Sequence, residues 1–153
     1  DLQEMLVAKA LRFEELEKSG AVLVPGAAEC VRRMAELSPL AVASGARPEE
    51  IERMLARLNL RSYFRTVVGS GDTPFSKPAP DPYLEAASRL RAQPARTIAI
   101  EDTAAGLASA RGAGLKCIGI TTTFPPSKLS LADVVVNAMD EITADLVRSL
   151  ITV

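Results

Sequence analysis

The chain has 153 residues, 48% apolar and 24% charged, and a net charge of −1. This length corresponds to about one domain, and the composition is ordinary for a globular protein. Acidic and basic residues are balanced and mixed along the chain, which predicts neither a nucleic-acid groove nor a membrane-surface partner. No apolar run approaches the ~18 residues of a membrane span, and the N-terminal residues lack a signal-peptide pattern. We therefore expect a cytoplasmic protein.

The side chains available for catalysis are restricted, because histidine is absent and only two cysteines occur. Cys30 falls in a predicted helix and Cys117 in a predicted strand. We expect both to be small buried apolar side chains rather than halves of a disulfide. Without histidine, the usual Ser-His-Asp and Cys-His nucleophiles and histidine-ligated zinc are excluded. Carboxylates, lysine, hydroxyl groups or a hard metal must supply any catalysis.

Predicted helices alternate with short apolar strands along the chain. Helices are expected at 2–18, at 27–37 after Pro25-Gly26, from Pro48, from Asp81, over 104–112 and from Asp140; strands are expected at 40–43, 66–68, 97–100, 116–120 and 134–136. Asp81 precedes a proline and is expected to cap its helix. The alternation predicts an α/β fold with a parallel sheet and helices on both faces.

Two polar residues follow predicted strands and could hold a phosphate. Ser44 ends the strand at 40–43, and its hydroxyl, with the amides of Gly45 and Ala46, precedes a helix N-terminus, which favours anions. Lys77 lies between the second and third predicted strands, in a loop stiffened by two prolines. Ligands of an open parallel sheet bind beyond the carboxyl ends of its strands, so we expect both residues at one edge. Taken singly, Ser44 could merely end a strand before a turn, and Lys77 could be a solvated surface residue.

Adjacent carboxylates, Glu101 and Asp102, directly follow the strand at 97–100. They repel each other unless a cation or hydrogen bonds compensate. Magnesium prefers oxygen ligands and often relies on one or two carboxylates together with substrate phosphate. Alternatively, Asp102 or Thr103 only caps the next helix. In combination with Ser44 and Lys77, the pair predicts a phosphate site that contains Mg²⁺.

These motifs resemble those of the haloacid dehalogenase-like hydrolases, in particular the branch that contains β-phosphoglucomutase and phosphoglycolate phosphatase. The resemblance runs from Pro25-Gly26 to about Thr122 and includes Ala43-Ser44-Gly45, Tyr63-Phe64, Lys77-Pro78-Ala79-Pro80-Asp81 and the stretch from Ile100 to Gly106. It implies a Rossmann-like core and Mg²⁺-dependent transfer of a phosphoryl group from a small phosphorylated metabolite to water. It also implies that Ser44 anchors phosphate, that Lys77 is the family's catalytic lysine, and that Asp102 and Glu101 hold the metal.

One part of the family's pattern is missing. The family's aspartate nucleophile, and a general acid/base aspartate two positions later, follow the first strand in an Asp-x-Asp-Gly pattern that this sequence does not contain. We expect residues 1–20 to be the last helix of a truncated helical cap and residues 21–153 to be a core without its central first strand. That strand would lie between those at 40–43 and 97–100, so its loss would open two edges to association or strand exchange. The chain alone is expected to be inactive.

Three other functions are compatible with parts of this pattern. A phosphosugar mutase would use the same chemistry and hand the phosphoryl group to a second hydroxyl. A non-catalytic phosphate-binding or interaction module would keep the site without a nucleophile. A receiver-like signalling domain also places acids, a hydroxyl and a lysine around Mg²⁺, but its acids come first, whereas here Ser44 and Lys77 precede them. Specificity in this architecture resides in the cap and loops, so the sequence identifies no substrate.

Overall fold

The computed structural model describes residues 24–151, and the helix predicted at 2–18 lies outside this range. The helices are α1 (Ala27–Leu37), α2 (Pro48–Arg57), α3 (Asp81–Leu90), α4 (Ala104–Gly112) and α5 (Ala144–Ile151); the strands are β1 (Leu40–Ala43), β2 (Phe64–Val68), β3 (Ile98–Glu101), β4 (Lys116–Ile120) and β5 (Val134–Val136). This order confirms the predicted α/β alternation.

The strands form two parallel groups. One pairs β1 with β2, and the other has the order β3-β4-β5. No hydrogen-bonded ladder joins β1 to β3 within residues 24–151. Instead, a cavity of about 400 Å³ is lined by residues of both strands, including Leu40 and Ala41 of β1 and Ile98 and Ile100 of β3. The additional strand expected between them stays a prediction.

Side chains along the strands alternate between two hydrophobic clusters, because successive residues of a strand point to opposite faces of a sheet. Leu40 and Val42 belong to a cluster that also contains residues of α1 and α2. Ala41 and Ala43 belong to a second cluster with residues of α3 and α4. Helices therefore cover both faces of the sheet with apolar side chains, as predicted from the wholly apolar strand at 40–43.

Four predicted elements have boundaries that differ from the structure. The strand predicted at 97–100 is β3 (Ile98–Glu101), so Glu101 is its last residue. β2 begins at Phe64, two residues before the predicted start. Asp81 is the first residue of α3 rather than its cap, since Pro80 holds the cap position and makes no side-chain cap bond. The last helix does not begin at Asp140, which lies in a short 3₁₀ turn. Instead, the Thr143 hydroxyl accepts a hydrogen bond from the Leu146 N–H at 3.2 Å and starts α5.

The prediction for the cysteines is confirmed. Cys30 and Cys117 are both free and buried. Burial raises the pKa of each thiol to about 11, so both stay protonated near neutral pH. In the part of the chain that the structure describes, no helix has the length and apolar character needed to cross a bilayer.

Candidate active site

The Lys77 ammonium links the carboxyl ends of β1 and β3. Its Nζ atom donates to the backbone oxygen of Ala43, the last residue of β1, at 2.9 Å. The same Nζ atom lies 2.7 Å from Oε1 of Glu101, the last residue of β3. Ser44 follows Ala43 directly, and Asp102 follows Glu101. The structure therefore brings the three predicted segments together at one edge.

Ser44 is held at the end of β1 by the loop that follows it. The Ser44 N–H donates to the Val68 oxygen at 2.9 Å, which continues the pairing of β1 with β2. Ser44 Oγ accepts the Ala46 N–H at 3.1 Å, and the Ala46 oxygen accepts the Ser70 N–H at 2.7 Å. A hydroxyl that accepts one bond still has its own hydrogen to donate. The Ala46 amide could contact a phosphate only by leaving Ser44.

Lys77 lies in a mostly buried and polar environment. Its side chain is 11% exposed. Its Nζ atom is 3.3 Å from the Tyr83 hydroxyl and 4.5 Å from the centre of that ring. Burial lowers the pKa of Lys77 to about 8, and the neighbouring charge of Glu101 opposes this shift. An ammonium in such surroundings acts more strongly on a nearby anion than one in water.

Glu101 is fully buried, and its carboxylate fits into space left by a glycine. The Tyr83 hydroxyl donates to Glu101 Oε1, the oxygen that also accepts from Lys77. Burial, followed by the charge of Glu101, raises the pKa of Tyr83 well above its ordinary value, so this hydroxyl keeps its proton. A Cβ atom at Gly106 would lie 2.0 Å from Glu101 Oε2. Any side chain at position 106 would therefore displace the carboxylate.

Asp102 differs from its neighbour in position and in partners. It is 4% exposed, and the Thr123 hydroxyl donates to its Oδ2 atom. The capping alternative applies to Thr103 instead, whose hydroxyl accepts the Gly106 N–H at 3.1 Å and caps α4. Asp102 therefore keeps carboxylate oxygen for another ligand.

The donor set fits Mg²⁺ in part. Among residues 24–151, no group of three acidic, cysteine or histidine side chains could enclose a metal ion. Mg²⁺ often takes only one or two protein carboxylates and completes its shell with water and phosphate. Asp102 suits such a site, whereas Glu101 already accepts bonds from Lys77 and Tyr83. The metal-binding roles assigned to these two residues stay predictions.

Four residues around the site were given no role in it from the sequence. Tyr83 and Gly106 shape the surroundings of Glu101, and Thr123 contacts Asp102. Ser109 is fully buried in α4, and its hydroxyl donates to the Ala79 oxygen at 2.6 Å, which ties the loop after Lys77 to the helix. The available signal in the sequence was a serine on the apolar face of the helix predicted at 104–112. Such a serine is expected to be buried, and a buried hydroxyl needs a hydrogen-bond partner.

Comparison with known proteins places these features in a family. The haloacid dehalogenase-like hydrolase family matches residues 1–114. Validoxylamine A 7'-phosphate phosphatase from Streptomyces hygroscopicus subsp. limoneus is 32% identical over 80% of this chain and 58% of its own length. Fructose-1-phosphate phosphatase YqaB from Escherichia coli is 38% identical over 54% of this chain and 44% of its own length.

A solved structure shows that the resemblance extends to the fold. The HAD hydrolase (family IA, variant 3) of Entamoeba histolytica superposes with a TM-score of 0.80 at 26% identity, over 94% of this chain and 67% of that one. The chain spans about half the length of the two phosphatases that it matches, 58% and 44%. By sequence and fold, it belongs to the haloacid dehalogenase-like hydrolase family.

Proposed function

We propose that this chain forms the phosphate-binding side of a Mg²⁺-dependent phosphatase that acts on a small phosphorylated metabolite. The observation that carries the proposal is the buried Lys77 ammonium, which links the ends of β1 and β3 beside Ser44 and Asp102. A buried cation at the carboxyl edge of a parallel sheet suits an anionic substrate. The relatives named as phosphatases of validoxylamine A 7'-phosphate and fructose 1-phosphate support a sugar-like phosphate ester as substrate.

Each site residue has a distinct part in this proposal. The Ser44 hydroxyl and the Gly45 amide donate to phosphate oxygens, and the Ala46 amide joins them when it leaves Ser44. Lys77 offsets the charge that develops on the phosphoryl group. Asp102 holds Mg²⁺, with Glu101 buried behind it; when bound, the metal neutralises phosphate charge and orients the group for in-line attack. These residues bind and orient the phosphate but supply no nucleophile.

We propose that the nucleophile is an aspartate on a strand outside residues 24–151, inserted between β1 and β3. Two observations support this position. A cavity is lined by residues of β1 and β3, which are not paired with each other, and this chain matches only part of its relatives' length. The aspartate oxygen would form a bond to phosphorus as the P–O ester bond breaks, and the second aspartate of the Asp-x-Asp pattern would give its proton to the leaving alkoxide. Water would then cleave the aspartyl-phosphate and release inorganic phosphate. The 153 residues alone would have no such turnover.

Substitutions in the gene product that contains this chain test the proposal. We expect S44A, K77A and D102N each to lower kcat/KM for sugar phosphates by about 100-fold or more, since each removes a preorganised contact to the reacting group. The matched variants S130A, K128A and D140N change exposed residues of the same types and should stay within about twofold, as surface substitutions usually do.

The reaction product decides between hydrolysis and a mutase reaction. Release of inorganic phosphate that requires added Mg²⁺ supports the phosphatase, whereas an isomeric sugar phosphate indicates the mutase. Equal activity in the site variants and their controls would contradict the proposed site.

A further inference from the structure

We propose that Tyr83 is a positioning residue whose hydroxyl and ring hold Lys77 and Glu101 as a fixed pair, with Glu101 serving as the buried counter-ion of Lys77. The effect of Tyr83 on catalysis rests on the proposed function. The contact itself, a hydrogen bond from Tyr83 to the Glu101 carboxylate, can be tested without an activity assay. Tyr83 lies in α3, and the contacts join it to the last residue of β3.

The pleat of β3 explains why Glu101 faces Tyr83. Ile100 belongs to the first hydrophobic cluster, whereas Ala99 belongs to the second, together with Tyr83. Glu101 is two residues after Ala99 in the strand and therefore points to the same face. Small side chains in that cluster, including Ala43 and Ala99, leave room for the large ring and the carboxylate. The geometry directs Glu101 under α3 rather than outward from the strand end.

Tyr83 is suited to this position because its polar and aromatic parts both have partners. Its side chain is fully buried, and a buried tyrosine hydroxyl normally makes a hydrogen bond. Here that bond goes to Glu101 Oε1, and the ring face lies 4.5 Å from Lys77 Nζ, within the range of a cation–π contact. A phenylalanine would keep the ring and remove both hydrogen bonds of the hydroxyl, the one donated to Glu101 and the one accepted from Lys77.

The bonds of Lys77 indicate what a substrate would change. An ammonium has three donors, and three acceptors lie within reach: Ala43 oxygen at 2.9 Å, Glu101 Oε1 at 2.7 Å and the Tyr83 hydroxyl at 3.3 Å. The bond to Tyr83 is the longest of these. We expect a phosphate oxygen to replace it, while Ala43 and Glu101 keep the ammonium in place.

Nuclear magnetic resonance of the tyrosine Cζ carbons tests the contact directly. The chain has two tyrosines, Tyr63 and Tyr83, so a ¹³Cζ-labelled protein gives two signals and Y63F assigns them. We expect E101Q to shift the Tyr83 signal and to leave the Tyr63 signal unchanged. A Tyr83 signal that does not respond to E101Q would overturn the proposal. If E101Q moves both signals, a second measurement decides: the rate at which the ammonium protons of Lys77 exchange with water. We expect faster exchange in Y83F than in Y63F. Equal rates in the two variants would overturn the proposal.

A double-mutant cycle tests the positioning role. In the gene product, Y83F should lower kcat/KM by about tenfold, the size expected for a lost hydrogen bond to a charged group. In the K77M/E101Q background it should lower kcat/KM by less than about twofold, because the pair that it positions is gone. Y63F should stay within about twofold in both backgrounds. A purely structural role would reduce the active fraction by the same factor in both, and that result would overturn the proposal.

Failure of the proposed function gives a different result. If the gene product shows no phosphatase activity, or if K77M/E101Q retains full activity, then the assigned role of Lys77 in phosphoryl transfer is wrong. The response of the Tyr83 signal to E101Q would still decide whether Tyr83 holds the carboxylate.

Discussion

At the scale of single residues, the candidate site depends on one position without a side chain. Gly106 lies in the first turn of α4, where an ideal Cβ atom would be 2.0 Å from Glu101 Oε2. The carboxylate cannot retreat easily, because Lys77 and Tyr83 hold its other oxygen. Gly106 is thus needed for close packing, in a helix that would otherwise favour alanine at this position.

We predict that G106A lowers the free energy of unfolding by about 2 kcal/mol or more, because overpacking at a buried site costs about 1–3 kcal/mol and here also displaces a bonded carboxylate. G112A is the matched control in the same helix: its Cβ would lie 3.4 Å from the Pro80 Cβ, an ordinary contact. The control should change stability by less than about 1 kcal/mol. Urea unfolding measures both, and equal values for the two variants would refute the packing argument.

At the scale of elements, α4 holds the loop that presents Lys77. The buried Ser109 hydroxyl donates to the Ala79 oxygen at 2.6 Å. The Ala79 N–H donates to the Ser76 oxygen at 3.0 Å, which closes a turn around Lys77. The helix that begins next to Asp102 therefore also fixes the segment that carries the lysine, so both parts of the site share one support.

We predict that S109A loosens this turn, because the Ala79 oxygen loses a buried donor at a cost of about 1–3 kcal/mol. Hydrogen exchange of the Ala79 N–H should become faster. S149A removes a serine hydroxyl from an exposed position in α5 and should leave this exchange unchanged. Unchanged exchange at Ala79 in S109A would show that the turn does not depend on α4.

Sequence patterns predicted elements well where local chemistry determines their ends. The bounds 104–112 for α4 match the structure, since Thr103 caps its start and Gly114, at a φ of 84°, follows its end. The start of the last helix was wrong, because acidic Asp140 resembles a helix start while Thr143 makes the actual cap bond. At this helix, several polar residues were candidates for one cap, and the sequence did not distinguish them.

The convergence of the site was predictable from the sequence, but the partners within it were only partly so. Ser44, Lys77 and Asp102 follow from their places after strands in a parallel sheet. Tyr83 occupies an apolar helix position, and its partner Glu101 is 18 residues away on another element. No local spacing signals such a pair. The two carboxylates looked equivalent in the sequence. In the structure their hydrogen-bond partners distinguish them: Lys77 and Tyr83 contact Glu101, whereas Thr123 contacts Asp102.

At the scale of the whole molecule, the described residues form an α/β layer with one discontinuity. β1 and β3 share a hydrophobic cluster and are linked at their carboxyl ends by Lys77, yet they are not paired with each other. A cavity of about 400 Å³ is lined by residues of both strands, together with exposed residues such as Leu37 and Pro39. We expect an added parallel strand to fill this position and to bring the nucleophile to the edge that holds Ser44 and Lys77.

The most direct test of this account compares phosphate release by the 153-residue chain with release by a longer gene product that includes its upstream coding sequence. Both are assayed on sugar phosphates with and without Mg²⁺. We predict Mg²⁺-dependent turnover only for the longer protein, with an apolar strand ending in Asp-x-Asp in the added segment. Turnover by the 153 residues alone would show that the nucleophile lies within them, and an inactive longer protein would contradict the proposed phosphatase.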